Sequence, residues 1–406
     1  MTPASKDEDL SRRGALGVLG AVAGGVALVS HAVAADDNPA AQVGDTTSKV
    51  RITGLRTHRV QSRVYVELQT SHKVTGWGEI SQLVPAAAEE LAKALFALLE
   101  GENPTRIEHL WQKLYRAHRD IRGGPFMCHT LAGIDMALWD ITGKLWGVPV
   151  YRLLGGPCRD RVRVYPTARS WKTGGSVGAF SGNPPDIEQM VKNVRHFRQQ
   201  VGPDGALMFD AHCAIPPPAL IQLAAAIKAY DVLFIEEPAV PGNIEVFKRL
   251  KEQIPIPLAS GERDRTIWEF IPYLHERCLD ILQPDVAQCG GITQMKKIAV
   301  LAEAYQVPLA PHCITSPLAA TASLSVAASI PLLLIHETAP DSLRWGEQFM
   351  NRPWTVNDKS GYATLPEGPG LGIEIDTTKL AKVAADPTYR WRWPGARYAD
   401  GSVADY

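Results

Sequence analysis

Net charge is nearly absent from this chain: 42 lysines and arginines stand against 43 aspartates and glutamates, a formal charge of -1. Without an excess of either sign there is no electrostatic reason to expect nucleic acid or an anionic membrane surface as partner, which leaves a small molecule as the better expectation. Paired cysteines are lacking too. Cys128, Cys158, Cys213, Cys278, Cys289 and Cys313 show neither the spacing of a disulfide framework nor that of a thiolate metal site. They are expected to be buried small hydrophobes, with a lining role left open for Cys213 and Cys313, each of which follows a histidine of interest. A run of about 20 strongly apolar residues, the length a membrane helix needs, is also missing.

The apolar stretch from Ala15 to Val29 is short and rich in alanine and glycine. Ser11, Arg12 and Arg13 precede it, and Ala32-Val33-Ala34 follows with the small residues a signal peptidase favours. Residues 1–35 are therefore expected to be a twin-arginine export signal, giving a periplasmic or otherwise exported protein with no membrane attachment after cleavage. Residues 36–49, made largely of Asp, Pro, Ala and Thr, read as a linker.

What is present is ordinary globular composition, 45% hydrophobic and 21% charged, in a 406-residue chain long enough for two domains. From Val50 to Ile80 apolar residues alternate, which predicts three antiparallel strands. Pro85, Pro104 and Pro125 each open a helical stretch, so residues 50–155 are expected to form an α+β domain. Beyond Gly155-Gly156-Pro157 come short apolar runs, each followed by a polar turn and an amphipathic stretch: Val162 to Tyr165, Ala206 to Phe209, Val232 to Ile235, Ile256 to Ala259, Ile281 to Leu282, Val307 to Ala310 and Leu332 to Ile335. Strands and helices in such alternation imply a parallel sheet, and so many in series imply a barrel over residues 156–340.

Asp210, Glu236, Glu262, Asp285, His312 and Glu337 stand just beyond these runs, 23 to 27 residues apart. A chargeable residue at the C-terminal end of six consecutive strands puts all six on one rim, where barrel enzymes keep their chemistry. Acidic helix caps would account for one or two of them, but not for six in register. Asp210, Glu236 and Glu262 supply three hard oxygen donors without a nearby cysteine pair, which favours magnesium, with manganese as the alternative, over zinc. Glu237 is expected to point to the opposite face, because neighbouring strand residues do. His212, two residues beyond Asp210, shares its face if the strand persists and could then serve as an acid; a rim histidine that only hydrogen-bonds is the competing reading. Asp285 and His312 end consecutive strands, and a carboxylate on one imidazole nitrogen leaves the other as a general base.

Arg122-Gly123-Gly124-Pro125, Ile134 to Asp140, Leu153-Leu154-Gly155-Gly156-Pro157, Phe234-Ile235-Glu236-Glu237-Pro238, Gly261-Glu262-Arg263, Gln283-Pro284-Asp285, Gly290-Gly291-Ile292 and Ala310-Pro311-His312 together resemble the mandelate racemase/muconate lactonizing enzyme group of the enolase superfamily, in particular its galactonate dehydratase-like members. The resemblance runs from about Val50 to the C-terminus. It implies an α/β fold in which a modified TIM-type (β/α) barrel carries an α+β N-terminal capping domain, with residues 341–406 packing back on the cap. It implies magnesium on Asp210, Glu236 and Glu262, and an acid sugar such as an aldonate as substrate. Asp285 and His312 would remove the α-proton to give a metal-stabilised enediolate, His212 would protonate the departing β-hydroxyl, and Glu337 would hydrogen-bond the substrate carboxylate. By analogy alone, a homo-oligomer is expected.

The sequence also departs from that pattern. Only 45 residues separate Tyr165 from Asp210, where two barrel units of roughly 30 residues need about 60. The barrel is expected to be shortened near strands 1–2: the first helix missing, the second strand as brief as Ala168 to Lys172, and Lys172 either the lysine relatives place there or a solvated loop lysine. His212 is followed by Cys213-Ala214 where relatives commonly have Gly-Arg, and Gln288 replaces a second histidine. Thr57 to Arg63, where relatives fold a loop over the site, is short. Two alternatives stay open: a racemase or epimerase of a 2-hydroxy acid, and a non-catalytic envelope protein that binds sugar acids.

Overall fold

In the computed structural model, which describes residues 49–166, 170–172, 184–357, 360–384 and 401–403, the alternating N-terminal pattern becomes an antiparallel meander. Its strands are β1 (Ile52–Val60), β2 (Arg63–Thr70) and β3 (Thr75–Ile80). Val64, Val66 and Leu68 of β2 are buried against three helices, α1 (Pro85–Phe96), α2 (Ile107–Ala117) and α3 (Pro125–Trp146). Pro85 and Pro125 open α1 and α3 at positions whose N–H would go unbonded in any case. The second helix begins at Ile107 and not at Pro104. Gly147 ends α3 in the left-handed region at φ 69°, its N–H bonded back to the last turn. β1 and β2 are joined by a tight turn at Gln61-Ser62, so the segment over Thr57 to Arg63 is mostly strand. The expected signal and linker, residues 1–48, lie outside the described residues.

The barrel staves are β4 (Arg161–Pro166), β5 (Ser170–Lys172), β6 (Met208–Asp210), β7 (Ile235–Glu236), β8 (Leu258–Ser260) and β9 (Ile281–Leu282), followed by single bridges at Leu309 and Leu333 and then β10 (His336–Thr338). Pairing is parallel from β5 to β9, from Leu282 through Leu309 to Leu333, and from β10 back to β4. Tyr165, Met208, Phe234, Ala259, Ile281, Ala310 and Ile335 pack together as the inner apolar layer. The seventh stave is reduced to the single residue Leu309, bridged on both sides, instead of the expected strand over Val307 to Ala310. Pro308 and Pro311 flank it and lack the N–H a ladder needs; what survives is Leu282 N–H to Pro308 O at 3.1 Å and Ala310 N–H to Leu282 O at 2.9 Å on one side, and Leu309 N–H to Leu332 O at 3.2 Å and Leu334 N–H to Leu309 O at 2.8 Å on the other.

Only three residues separate β4 from β5, too few for a helix, so the barrel lacks its first crossover as the spacing implied. Within the described residues the second stave is shorter than Ala168 to Lys172, and Lys172 pairs in register with Asp210. On its other flank β4 receives an antiparallel hairpin from the C-terminal segment, β11 (Val356–Asn357) and β12 (Tyr362–Thr364).

Two buried aspartates of α3 tie the cap to the rest. Asp140 accepts from Trp77 N–H (3.0 Å), Lys144 Nζ (2.6 Å) and Leu371 N–H (2.8 Å), which holds the C-terminal segment on the cap. Asp135 accepts from the Thr293 N–H (3.0 Å) and hydroxyl at the start of the barrel helix Ile292–Ala304. Trp111 Nε1–H reaches Gly290 O at 2.8 Å, and Trp139 Nε1–H reaches Thr293 Oγ1 at 3.0 Å. The Gly290-Gly291-Ile292 motif is thus the seat of the cap on the barrel.

Candidate active site

The charged residues stand at the stave ends or within three residues of them, so the barrel's own pairing gathers the carboxylates. Asp210 and Glu236 are direct ladder partners, and Glu337 is the partner of Tyr165. Asp210, Glu236, Asp285, His312 and Glu337 are all between 0 and 5% exposed, so their charges interact through protein and not through water. Burial, then the carboxylates of Asp210, Glu337 and Glu262, push the Glu236 carboxyl well above its ordinary range.

His312 stands at the centre of this group. Its Nδ1 lies 2.7 Å from Asp285 Oδ2, and its Nε2 lies 3.4 Å from Glu262 Oε2 and 3.8 Å from Glu337 Oε2. Burial works against a charged imidazole, but Glu262, Glu337 and Asp285 outweigh it and raise the His312 pKa well above the usual value. Asp285 is fixed in turn by Ala287 N–H on Oδ1 (2.7 Å) and Gln288 Nε2 on Oδ2 (3.3 Å). Gln288 therefore works as a prop for Asp285. Glu337 Oε2 accepts the backbone N–H of Cys313 at 3.0 Å. Burial pushes the thiols of Cys213 and Cys313 up, which keeps both protonated and inert.

Two expectations about direction need correction. The strand does not persist past Asp210: His212 and Cys213 both adopt left-handed backbone, at φ 49° and 56°, and His212 N–H folds back onto Asp210 Oδ1 at 2.8 Å. His212 nevertheless remains in the site, with Nε2 3.8 Å from Glu237 Oε2. Likewise strand alternation does not govern Glu237, because β7 stops at Glu236 and Glu237 itself is left-handed at φ 44°. Its carboxylate turns into the same cavity: ligand atoms of His212, Glu237 and Glu262 lie within 4.8 Å of one another. Burial and Glu262 raise the Glu237 carboxyl, while Arg263 opposes them. Arg263 grips it with Nε to Oε1 at 2.8 Å and NH2 to Oε2 at 3.0 Å. Glu237 and Arg263 are functional neighbours that alternation concealed; the signal available was their place beside Glu236 and Glu262.

The donor set suits a hard divalent cation. The acids of neighbouring staves push up the Glu236 carboxyl pKa, as expected of a cavity shaped around positive charge, and every nearby acid offers oxygen. The Tyr165 hydroxyl is buried without a hydrogen-bond partner in the same interior, and burial, then Glu337, Glu236, Asp210 and Glu262, raise its pKa. Such an orphan donor fits a site that also takes an ion and its waters.

Fold and site together define a capped-barrel enzyme with an acidic mouth flanked by histidines. Residues 160–379 match the family described as Enolase C-terminal domain-like, and residues 42–155 match Mandelate racemase / muconate lactonizing enzyme, N-terminal domain. The chain belongs to the mandelate racemase/muconate lactonizing enzyme group of the enolase superfamily. D-galactonate dehydratase of Variovorax paradoxus (strain S110) is 35% identical over 88% of this chain and 100% of its own length. D-galactonate dehydratase of Ralstonia nicotianae is 36% identical, again over 88% and 100%. Among solved structures, an enolase from Agrobacterium radiobacter bound to Na and L-malate is 30% identical with a TM-score of 0.79, covering 88% of this chain and 100% of that one. The 3,6-anhydro-D-galactonate cycloisomerase from Zobellia galactanivorans is 28% identical with a TM-score of 0.74, covering 82% and 99%. The chain is an enzyme of the hydro-lyase class, which sets the non-catalytic reading aside.

Proposed function

We propose that this enzyme dehydrates an acid sugar of the aldonate class, galactonate being the first to try, with a magnesium ion held by Asp210, Glu236 and Glu262. The observation that carries this reading is the His312 pair. Asp285 holds Nδ1, so Nδ1 carries the hydrogen and Nε2 faces the carboxylate cavity where a substrate carboxylate would be drawn by the cation. Bound there, magnesium would stabilise the negative charge that develops on the substrate carboxylate, without which an α-proton is far too weakly acidic for an imidazole. With the cation's charge offsetting the carboxylates that raise its pKa, a neutral His312 would take that proton at Nε2, and Asp285 would steady the imidazolium. His212, whose Nε2 lies 3.8 Å from Glu237 Oε2, gives a proton to the departing β-hydroxyl. Glu337, oriented by the Cys313 N–H, hydrogen-bonds the substrate carboxylate.

The test is a panel of aldonic and aldaric acids incubated with the purified protein and magnesium in deuterated water. A 3-deoxy-2-keto acid product supports elimination. Deuterium at C2 with no loss of water, or no turnover of any acid in the panel, would remove the reading. Two further proposals come from outside the site. Ser11-Arg12-Arg13 and the apolar run after them carry a proposal of twin-arginine export to the periplasm, which fails if a reporter fused to residues 1–49 stays in the cytoplasm. Self-association is proposed from family analogy and is read from mass in solution.

A further inference from the structure

Glu237 and Arg263 are the charged pair that the reaction just described does not use, yet they are built into the site from two staves. Glu237 is 1% exposed. Its two oxygens are both taken by Arg263, at 2.8 and 3.0 Å, in the two-pronged geometry that fixes a carboxylate in plane as well as in distance. Arg263 stands farther from the adjacent Glu262, at 3.9 Å, so it neutralises Glu237 in preference and leaves Glu262 to the cavity.

The same pair reaches the turn that carries His212. Cys213 N–H donates to Glu237 O at 3.0 Å, and Cys213 Sγ lies 3.6 Å from Glu237 Oε1 and 3.2 Å from Ala239 O. His212, Cys213 and Glu237 all hold left-handed backbone, a conformation that persists in non-glycine residues only where the surroundings over-determine it. Those surroundings are Asp210 Oδ1 on one side of the turn and Glu237 on the other.

We propose that Glu237, clamped by Arg263, is the positioning residue for His212, setting where that imidazole stands across the carboxylate cavity. The proposal deepens the dehydratase reading and rests on it for the role of His212. The competing assignment is that Glu237 is itself a cation ligand together with His212 and Glu262, whose atoms are close enough.

The test uses full-length protein with histidine labelled at Cε1 by 13C, the His212 resonance being assigned by its loss in His212→Asn. Glu237→Gln keeps the shape and removes the charge; Arg263→Met removes the clamp; Arg263→Lys keeps the charge without the two-pronged grip. All three variants are expected to shift the His212 resonance while those of the buried His129 and His336 stay in place. Manganese affinity by calorimetry should stay within about threefold of the parent, and kcat on the aldonate turned over should fall about 10- to 100-fold with KM little changed. An unmoved His212 signal overturns the proposal, as does movement of all three histidines together. Loss of manganese binding in Glu237→Gln overturns it in favour of the ligand assignment. The resonance and the affinity are both read without substrate, so they keep their meaning even if the dehydratase reading fails.

Discussion

In the proposed reaction His312 is the base, and its surroundings predict how its loss will read out. His312→Asn keeps a polar side chain at Asp285 and removes the base, so kcat should fall about 100- to 10,000-fold, the range general base catalysis supplies, while manganese affinity by calorimetry changes little. A variant that loses both would show instead that the imidazole holds the cation. His129 is a different kind of histidine. It is 1% exposed, with Nδ1 3.0 Å from Ser81 O, and burial holds its pKa down at about 4. The folded state therefore refuses a proton that the unfolded chain accepts below its ordinary pKa near 6.5. Its stabilising contribution is present above that value and is lost as pH falls from about 6.5 to about 4, amounting to roughly 3 kcal/mol at the low end. His129→Gln should flatten denaturant stability across that window; an unchanged slope would place the acid sensitivity elsewhere. Neither role is visible in the residue type. Asp285 and His312 were legible because they end consecutive staves, whereas nothing in the sequence around His129 distinguishes a neutral packed imidazole from a working one.

At the scale of the element, the staves were legible because apolar runs recur with a chargeable residue after all but the first, and the shortened opening was legible from the 45-residue gap between Tyr165 and Asp210. Misreadings came where a strand stops. A two-residue stave such as β7 leaves its next residue free to turn, so alternation, sound within a ladder, put Glu237 on the wrong face. Similarly, Pro308 and Pro311 reduced an expected strand to the single bridged residue Leu309. Gly291 illustrates an element whose reason appears only in three dimensions. It sits at φ 92°, and a Cβ there would lie 2.4 Å from Asp135 Oδ2, the carboxylate that seats the cap on the barrel helix. Gly291→Ala should cost about 3 kcal/mol, from left-handed strain plus the displaced Asp135. Gly156→Ala, with φ 88° and nothing within 4 Å of the added carbon, should cost about 1 kcal/mol from strain alone. Urea unfolding of the two variants measures the difference; equal losses would mean that the approach to Asp135 contributes nothing.

For the whole molecule, the carboxylate cavity makes stability a reporter of cation binding. Burial and the carboxylates of Asp210, Glu337 and Glu262 raise the cost of ionising Glu236, so the cation-free protein carries repulsion that the proposed dication would relieve. Magnesium at about 100 times its dissociation constant should add about 2.7 kcal/mol, seen as a rise of several degrees in the melting temperature that chelation reverses. Glu236→Gln discriminates between this cause and a general salt effect. It removes one charge from the cavity, so the melting temperature without cation should rise or hold. It also removes one donor, so the increment on adding magnesium should shrink towards zero. A salt effect would leave the increment intact in the variant, and a purely structural Glu236 would lower both melting temperatures together. Opposite movement of the two quantities is what a cavity built around an ion requires, because the same carboxylate that destabilises the empty fold stabilises the loaded one.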